Sequence, residues 1–199
     1  MTLFPTVREV LPHDGSALLR ESFLEPAEAD EAFARLRDGL PWESHDLVVF
    51  GRLHREPRLS TWHADDGIAY TYSGLKRTAL PFDSVLDELR RRCADAAGAP
   101  FNSVLVNLYR DGSDGVGWHA DNEASNGREP VIASLSLGAT RRFDLRHRHD
   151  GTRASVDLSS GSLLVMSGLS QHCWVHQVAK TRRPVGPRIN LTFRRVVAE

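Results

Sequence analysis

The feature that most constrains this 199-residue chain is a dense run of short β-type segments after Gly98. They fall at 104–109, 131–137, 141–146, 154–158, 162–166, 173–178 and 188–196, and turns containing Gly, Asp or Pro separate many of them. Strands at such spacing, without helices between them, build a sandwich or barrel and not a βαβ sheet. The chain ahead of them differs. Residues 26–40 are rich in helix formers, opening on Pro26 and acids and closing on Arg37, Asp38 and Gly39 before Pro41. A second helix is expected from Asp83 to Ala97, where Val85, Leu86, Leu89 and Cys93 recur at helical spacing and Asp83 or Ser84 can cap. Two further β-like runs, 46–50 and 68–72, lie between the helices, while the first 25 residues show no clear period. The reading is an α+β chain of one domain over 1–199, with its N-terminal helices covering a β core.

Composition narrows the function classes. No apolar stretch is long enough to span a membrane, and no signal-peptide pattern opens the chain, so a membrane or secreted protein is not expected. The two cysteines, Cys93 and Cys173, lie in unrelated contexts, which suits a reducing compartment: the cytoplasm, or the nucleus of a eukaryotic cell. Net charge is −1 but unevenly spread, with −8 over residues 1–127 and +7 over 128–199. A basic half in a neutral chain fits either a face for an anionic partner or a solvated surface.

Three places carry chemistry. In Trp118-His119-Ala120-Asp121 an extended backbone would put imidazole and carboxylate on one face, able to meet one ion. A third ligand must come from elsewhere, and His172 and His176 would share a face in a strand, so geometry alone does not choose between them. In Pro187-Arg188-Ile189-Asn190-Leu191-Thr192-Phe193-Arg194 the polar residues alternate with apolar ones. If that polar face lines a cavity, its two arginines require anions, and guanidinium forks suit carboxylates. Two His, one Asp and an anionic cosubstrate together suggest a facial triad for iron and a 2-oxo diacid.

With these segments in view, the chain resembles the AlkB family, and within it the branch acting on duplex DNA. The matching stretches are Asn107-Leu108-Tyr109-Arg110-Asp111-Gly112, His119-x-Asp121, Ala133-Ser134-Leu135-Ser136-Leu137-Gly138, Gly161-Ser162-Leu163-Leu164-Val165-Met166, Trp174-x-His176 and the Pro187–Arg194 strand. The resemblance runs from about residue 46 to the C-terminus, and its Trp-x-His match selects His176 over His172. It implies a double-stranded β-helix (jelly-roll) core over about 100–199, and a nucleotide-recognition region over about 45–80. It also implies Fe(II) on His119, Asp121 and His176, which are the catalytic centre. The cosubstrate 2-oxoglutarate would be held by Asn107, Tyr109, Arg188, Asn190 and Arg194, with Arg188 on its distal carboxylate and Arg194 nearer the metal.

The implied activity is oxidative dealkylation of N-alkylated bases of the 1-methyladenine and 3-methylcytosine type, as in DNA repair, releasing an aldehyde, succinate and carbon dioxide. Tyr70-Thr71-Tyr72-Ser73-Gly74 resembles the family's Tyr-Thr-Phe-Ser-Gly segment, so Tyr70, Tyr72 and Ser73 would line the base pocket. Glu123 would contact the exocyclic group of the base. Val49-Phe50-Gly51 resembles an intercalating finger in which Phe50 fills the gap left by a flipped base, with Arg58 beside it. Arg146, Arg148 and Arg153, on a basic hairpin with His147, would meet phosphates. Asn122 stands where the related motif has an acid, and Tyr72 where it has Phe. The expected partner is alkylated DNA, duplex or single-stranded, or RNA, with no obligate protein partner. The alternatives are an RNA base demethylase and a nucleic-acid-binding protein with an unused iron site.

Overall fold

The structure, a computed structural model, describes residues 7–49, 52–68, 70–72, 75–77 and 79–197. In chain order its elements are β1 (Val7–Glu9), β2 (Ser16–Arg20), α1 (Pro26–Gly39), β3 (Asp46–Val49), β4 (Arg52–Arg55), β5 (Leu59–Ala64), β6 (Tyr70–Tyr72), β7 (Leu75–Arg77) and α2 (Ser84–Ala97). The second half adds β8 (Ser103–Tyr109), β9 (Val116–His119), β10 (Ile132–Gly138), β11 (Arg141–His147), β12 (Arg153–Leu158), β13 (Ser162–Ser167), a single helical turn α3 (Ser170–Cys173), β14 (Trp174–Val178) and β15 (Arg188–Arg194).

Both long helices begin and end for local reasons. Helix α1 starts with Pro26 at its first position and stops where Leu40, ahead of Pro41, turns extended. In α2 the Asp83 carboxylate accepts the Leu86 backbone N–H at 2.7 Å, and Gly98 closes the helix in the left-handed region at φ 63°.

The strands form two facing antiparallel sheets. The larger runs β1-β2-β13-β10-β15-β8-β5 and the smaller β12-β11-β14-β9. Eight of these strands, β8 to β15, make the two leaves of a jelly roll, and β2, β1 and β5 widen the larger leaf. Strand β15 is central, pairing with β10 on one side and β8 on the other.

Period-two alternation along β15 then sorts its side chains into two layers. Ile189, Leu191 and Phe193 join Val104, Val106, Leu135 and Leu137 under Ala29, Leu36, Leu86, Leu89 and Cys93 of the helices. Asn190, Thr192 and Arg194 line the space between the sheets. There the packing partners are Tyr109, Phe143, Leu145, Met166, Trp174 and Val178. The architecture is helices on sheet on sheet, as expected.

Two parts of the larger sheet were not expected. Strand β2 lies in the stretch without a clear period, where Ala17 and Leu19 are buried between exposed or half-buried neighbours. Strand β5 reads Leu-Ser-Thr-Trp-His-Ala, so its polar residues hide its burial, and Ser60, Thr61 and His63 are all buried. Both lie toward the margins of the sheet, β2 between the edge strand β1 and the distant β13, and β5 at the other edge against the distant β8.

Candidate metal centre and cosubstrate cavity

His119 ends strand β9, and Asp121 follows in the loop beyond it, so the two meet at a strand end and not along one extended face. His176 sits on β14 directly opposite His119 in the ladder. One ligand atom from each of the three lies within 4.8 Å of the others. His176 Nε2 is 3.8 Å from Asp121 Oδ2, and the two imidazole centroids are 4.4 Å apart.

The surroundings fix these groups. His119 Nδ1 donates to Gly117 O at 2.8 Å, which leaves Nε2 with its lone pair. Phe143 stacks on His176 at 5.1 Å. The backbone N–H of Asp121 donates to Gln171 Oε1 at 2.9 Å, and Gln171 is fully buried. Burial acts to raise the Asp121 carboxyl, but the guanidinium of Arg194, then His176 and His119, outweigh it and hold the group at about 2. Burial pushes His176 down to about 3, so its ring is neutral. A carboxylate and two imidazoles, all within reach of one point, are the donor set of a facial iron triad, and the site fits Fe(II).

The question left open between two histidines is resolved by local structure. His172 does not share a strand with His176, because Ser170–Cys173 coil into a helical turn and only Trp174–Val178 are extended. His172 turns outward, its Nε2 facing Arg128 O.

A cavity opens beside the triad and is lined by Asn107, Tyr109, Ser134, Asn190, Thr192 and Arg194 among others. Arg194 Nη2 donates to Asp121 Oδ1 at 2.6 Å, so the strand reaches the metal site directly. Arg188 is buried next to Tyr109, whose ring centre lies 5.2 Å from the guanidinium carbon. Its Nη2 donates to Ser136 Oγ at 2.8 Å and Asn190 Oδ1 at 2.6 Å, while Nε and Nη1 are buried without a hydrogen-bond acceptor. Burial lowers Arg188 to about 10, which leaves it cationic at neutral pH. A buried cation with two unmet N–H groups calls for an anion, and a dicarboxylate fits that demand.

The remaining expected residues scatter. Arg58 lines the same cavity but is buried, donating to Asn107 Oδ1 at 2.8 Å and to Glu56 Oε1 at 3.3 Å. Glu123 accepts from Asn126 Nδ2 at 2.8 Å. Arg146 and Arg153 face each other across the β11–β12 hairpin, with Arg148 and Arg153 exposed. Arg146 lies over the Trp118 ring at 4.8 Å, and Trp118 is exposed beside His119. Tyr70 and Tyr72 belong to β6 by their backbone, while Phe50 and Ser73 lie outside the described residues. Sequence reasoning missed Gln171. Its position next to His172 carried no sign that its side chain would cross to Asp121.

The sequence matches the 2OG-Fe(II) oxygenase superfamily over residues 16–194. The chain belongs to that superfamily. Fe(II) and 2-oxoglutarate are its cofactor and cosubstrate, and the AlkB homologues are its relatives within it. Alpha-ketoglutarate-dependent dioxygenase alkB homolog 3 of Bos taurus is 40% identical over 184 residues, covering 87% of this chain and 64% of that protein. DNA oxidative demethylase ALKBH2 of Mus musculus is 38% identical over 182 residues, covering 86% of this chain and 76% of its own length. The chain thus spans a little under two thirds of the alkB homolog 3 proteins it matches. A solved structure of OsALKBH1 superposes with a TM-score of 0.66 at 19% identity, covering 94% of this chain and 100% of that one, and agrees in fold.

Proposed function

We propose that this 2OG-Fe(II) oxygenase removes alkyl groups from N-alkylated bases of DNA by oxidation. The observation that carries the reading is the pairing of the His119, Asp121 and His176 cluster with the buried Arg188, whose Nε and Nη1 lack an acceptor behind the Tyr109 and Asn190 that line the adjoining cavity. The names of the AlkB relatives supply the substrate class.

In this reading His119, Asp121 and His176 hold Fe(II), the first through the nitrogen that its bond to Gly117 leaves available. Arg188 takes the distal carboxylate of 2-oxoglutarate, with Asn107, Tyr109, Asn190 and Arg194 around the rest of the cosubstrate. Iron(II), 2-oxoglutarate and dioxygen would supply the oxidation: one oxygen atom of dioxygen ends in succinate as carbon dioxide is released, and the other enters a C–H bond of the alkyl carbon, which then leaves the base as an aldehyde. Phe143 and Met166 keep the inner wall apolar and limit water.

The base must leave its stack to reach this cavity. Tyr70, Tyr72, Ser73, Glu123 and Arg58 meet the base, and Phe50 fills the vacated space in a duplex. Arg146, Arg148 and Arg153 hold the phosphates. Such an enzyme works where its nucleic acid is, in the cytoplasm of a cell without a nucleus or in the nucleus of one that has it. Among the described residues no helix is long and apolar enough to cross a membrane.

The test is aldehyde and succinate formation from 1-methyladenine or 3-methylcytosine in duplex DNA, single-stranded DNA and RNA. Turnover on DNA supports the reading. Turnover on RNA alone replaces the substrate, and cosubstrate turnover unaffected by every oligonucleotide overturns it. In the same assay Phe50→Ala should cut duplex turnover strongly and spare the single strand. Equal losses on both, with a lower melting temperature, would make Phe50 a packing residue.

A further inference from the structure

A second group of metal-type donors lies on the opposite flank of β14, built from residues 134 positions apart. His13 and Asp14 sit in the loop between β1 and β2. Gly15, at φ 129°, lets that loop press against α3, since a Cβ there would come within 2.5 Å of Ser170 N. Asp14 holds the left-handed region at φ 50°, which its short polar side chain tolerates. The loop is thereby laid against His147 at the end of β11. Asp14 Oδ2 lies 3.1 Å from His13 Nδ1 and 3.3 Å from His147 Nε2. One donor atom from each residue falls within 4.8 Å of the others.

His147 decides what the group is for. Its side chain is only 5% exposed. Its Nδ1 lies 2.8 Å from Asp150 Oδ1 and 3.3 Å from the Asp150 backbone N–H, and in the tautomer with its proton on Nδ1 it donates to the nearer carboxylate. Nε2 then carries a lone pair, and it is buried without a hydrogen-bond partner. The atom it faces, Asp14 Oδ2, is also an acceptor. Two acceptors so close repel unless a proton or a metal ion lies between them. His13 also stands between the two carboxylates, its Nδ1 hydrogen-bonded to Asp14 Oδ2 at 3.1 Å and its Nε2 3.4 Å from the other oxygen of Asp150. Asp150 therefore backs both rings, as carboxylates commonly do behind metal-bound histidines. Ligands about 2.0–2.1 Å from a tetrahedral ion stand roughly 3.3 Å from one another, close to the 3.1 and 3.3 Å that separate Asp14 Oδ2 from the two imidazole nitrogens.

We propose that His13, Asp14 and His147 form a second metal site for a zinc-type divalent ion, with water as the fourth ligand. Two neutral imidazoles and one carboxylate suit zinc, whereas calcium and magnesium favour all-oxygen sets. Its role is a brace. Trp174 Nε1 donates to His13 O at 3.1 Å and its ring packs 5.0 Å from His147, two residues before the iron ligand His176. A bound ion joins the N-terminal loop, the hairpin bearing Arg148 and Arg153, and strand β14.

The test uses the full chain, stripped with a chelator and loaded with Zn²⁺ alone. The wild type should bind two ions per chain. The variant His119→Ala with Asp121→Ala, which dismantles the iron site, should keep one, and Co²⁺ there should give the visible absorption of a tetrahedral complex. Adding His13→Ala should remove that ion and its thermal stabilisation. His13 is the variant of choice because it is partly exposed, while buried His147 is at risk of misfolding when changed. One ion in the wild type, or an unchanged stoichiometry on adding His13→Ala, overturns the site and shows the group to be an ion pair of protonated histidine with aspartate.

Discussion

The side chain of Gln171 accepts the backbone N–H of Asp121 at 2.9 Å, linking a helical turn to the loop that carries the central carboxylate. Gln171 is not one of the three donors, so it acts by holding Asp121 where the two histidines can share an ion with it. Gln171→Met should leave that buried N–H unpaired, at a cost of about 1–3 kcal/mol. Iron affinity should fall by about 10–100-fold, the usual loss when an outer partner of a metal ligand goes. Iron binding by titration and melting of the iron-free protein separate the effects. A lower melting temperature with unchanged iron affinity would make Gln171 a packing residue only.

His176→Ala should abolish turnover and iron binding, because a facial triad has no spare protein ligand. His172→Ala should leave both near wild type, since its ring faces Arg128 O on the outside. The reverse result would assign the third ligand to His172.

Arg188→Ala should raise the 2-oxoglutarate concentration needed for half-maximal turnover far more than it changes DNA affinity. The buried fork it removes is the one proposed to hold a carboxylate, away from the basic hairpin proposed for phosphate. Arg188→Lys should recover little, because an ammonium cannot reproduce two parallel N–H groups. Loss of DNA affinity with an unaltered cosubstrate requirement would place Arg188 on the substrate side.

Neutralising Arg146, Arg148 and Arg153 together should weaken binding to every sequence tested. The log–log salt dependence on duplex DNA should flatten by about 0.9 for each phosphate that the protein no longer neutralises. A slope equal to that of the wild type would show a solvated face.

Asp114 offers a pH test away from the iron. Its carboxylate is buried and takes hydrogen bonds from Arg110 N, Nε and Nη2, at 2.8, 2.8 and 2.9 Å. Burial acts to raise this group, but the bonds from Arg110 prevail and it lies below the ordinary carboxylate value. A depressed group stabilises the fold above its unfolded pKa of about 3.9, and that contribution fades as pH falls through the folded value. Asp114→Asn should cost about 1.5–3 kcal/mol at pH 7 and less near pH 3, read by urea unfolding at each pH.

Much of this site is legible in the sequence where its information is local. Arg188, Asn190, Thr192 and Arg194 alternate with apolar residues over one strand, so their common face follows from period two alone. His119 and Asp121 are near neighbours and were bound to meet. Other features depend on contacts that no short window contains. Strand β5 hides behind buried Ser60, Thr61 and His63, and the coil at Ser170–Cys173 that separates His172 from His176 has no cap or period to announce it. His13 meets His147 only because the β1–β2 loop, freed by Gly15, folds against β14.

The iron site straddles two kinds of backbone. Strand β15 is hydrogen-bonded along both sides, and all seven of its residues are buried. Strand β9 pairs only with β14 among the described residues, through a register shift between His176 and Val178. Amide exchange at β15 should therefore require near-global unfolding, whereas β9 can fray in a local opening. His119 would leave with β9 while Arg188 and Arg194 stay in place. Metal can then enter and escape without the fold coming apart, and its residence time is set by an edge strand, not by the stability of the protein.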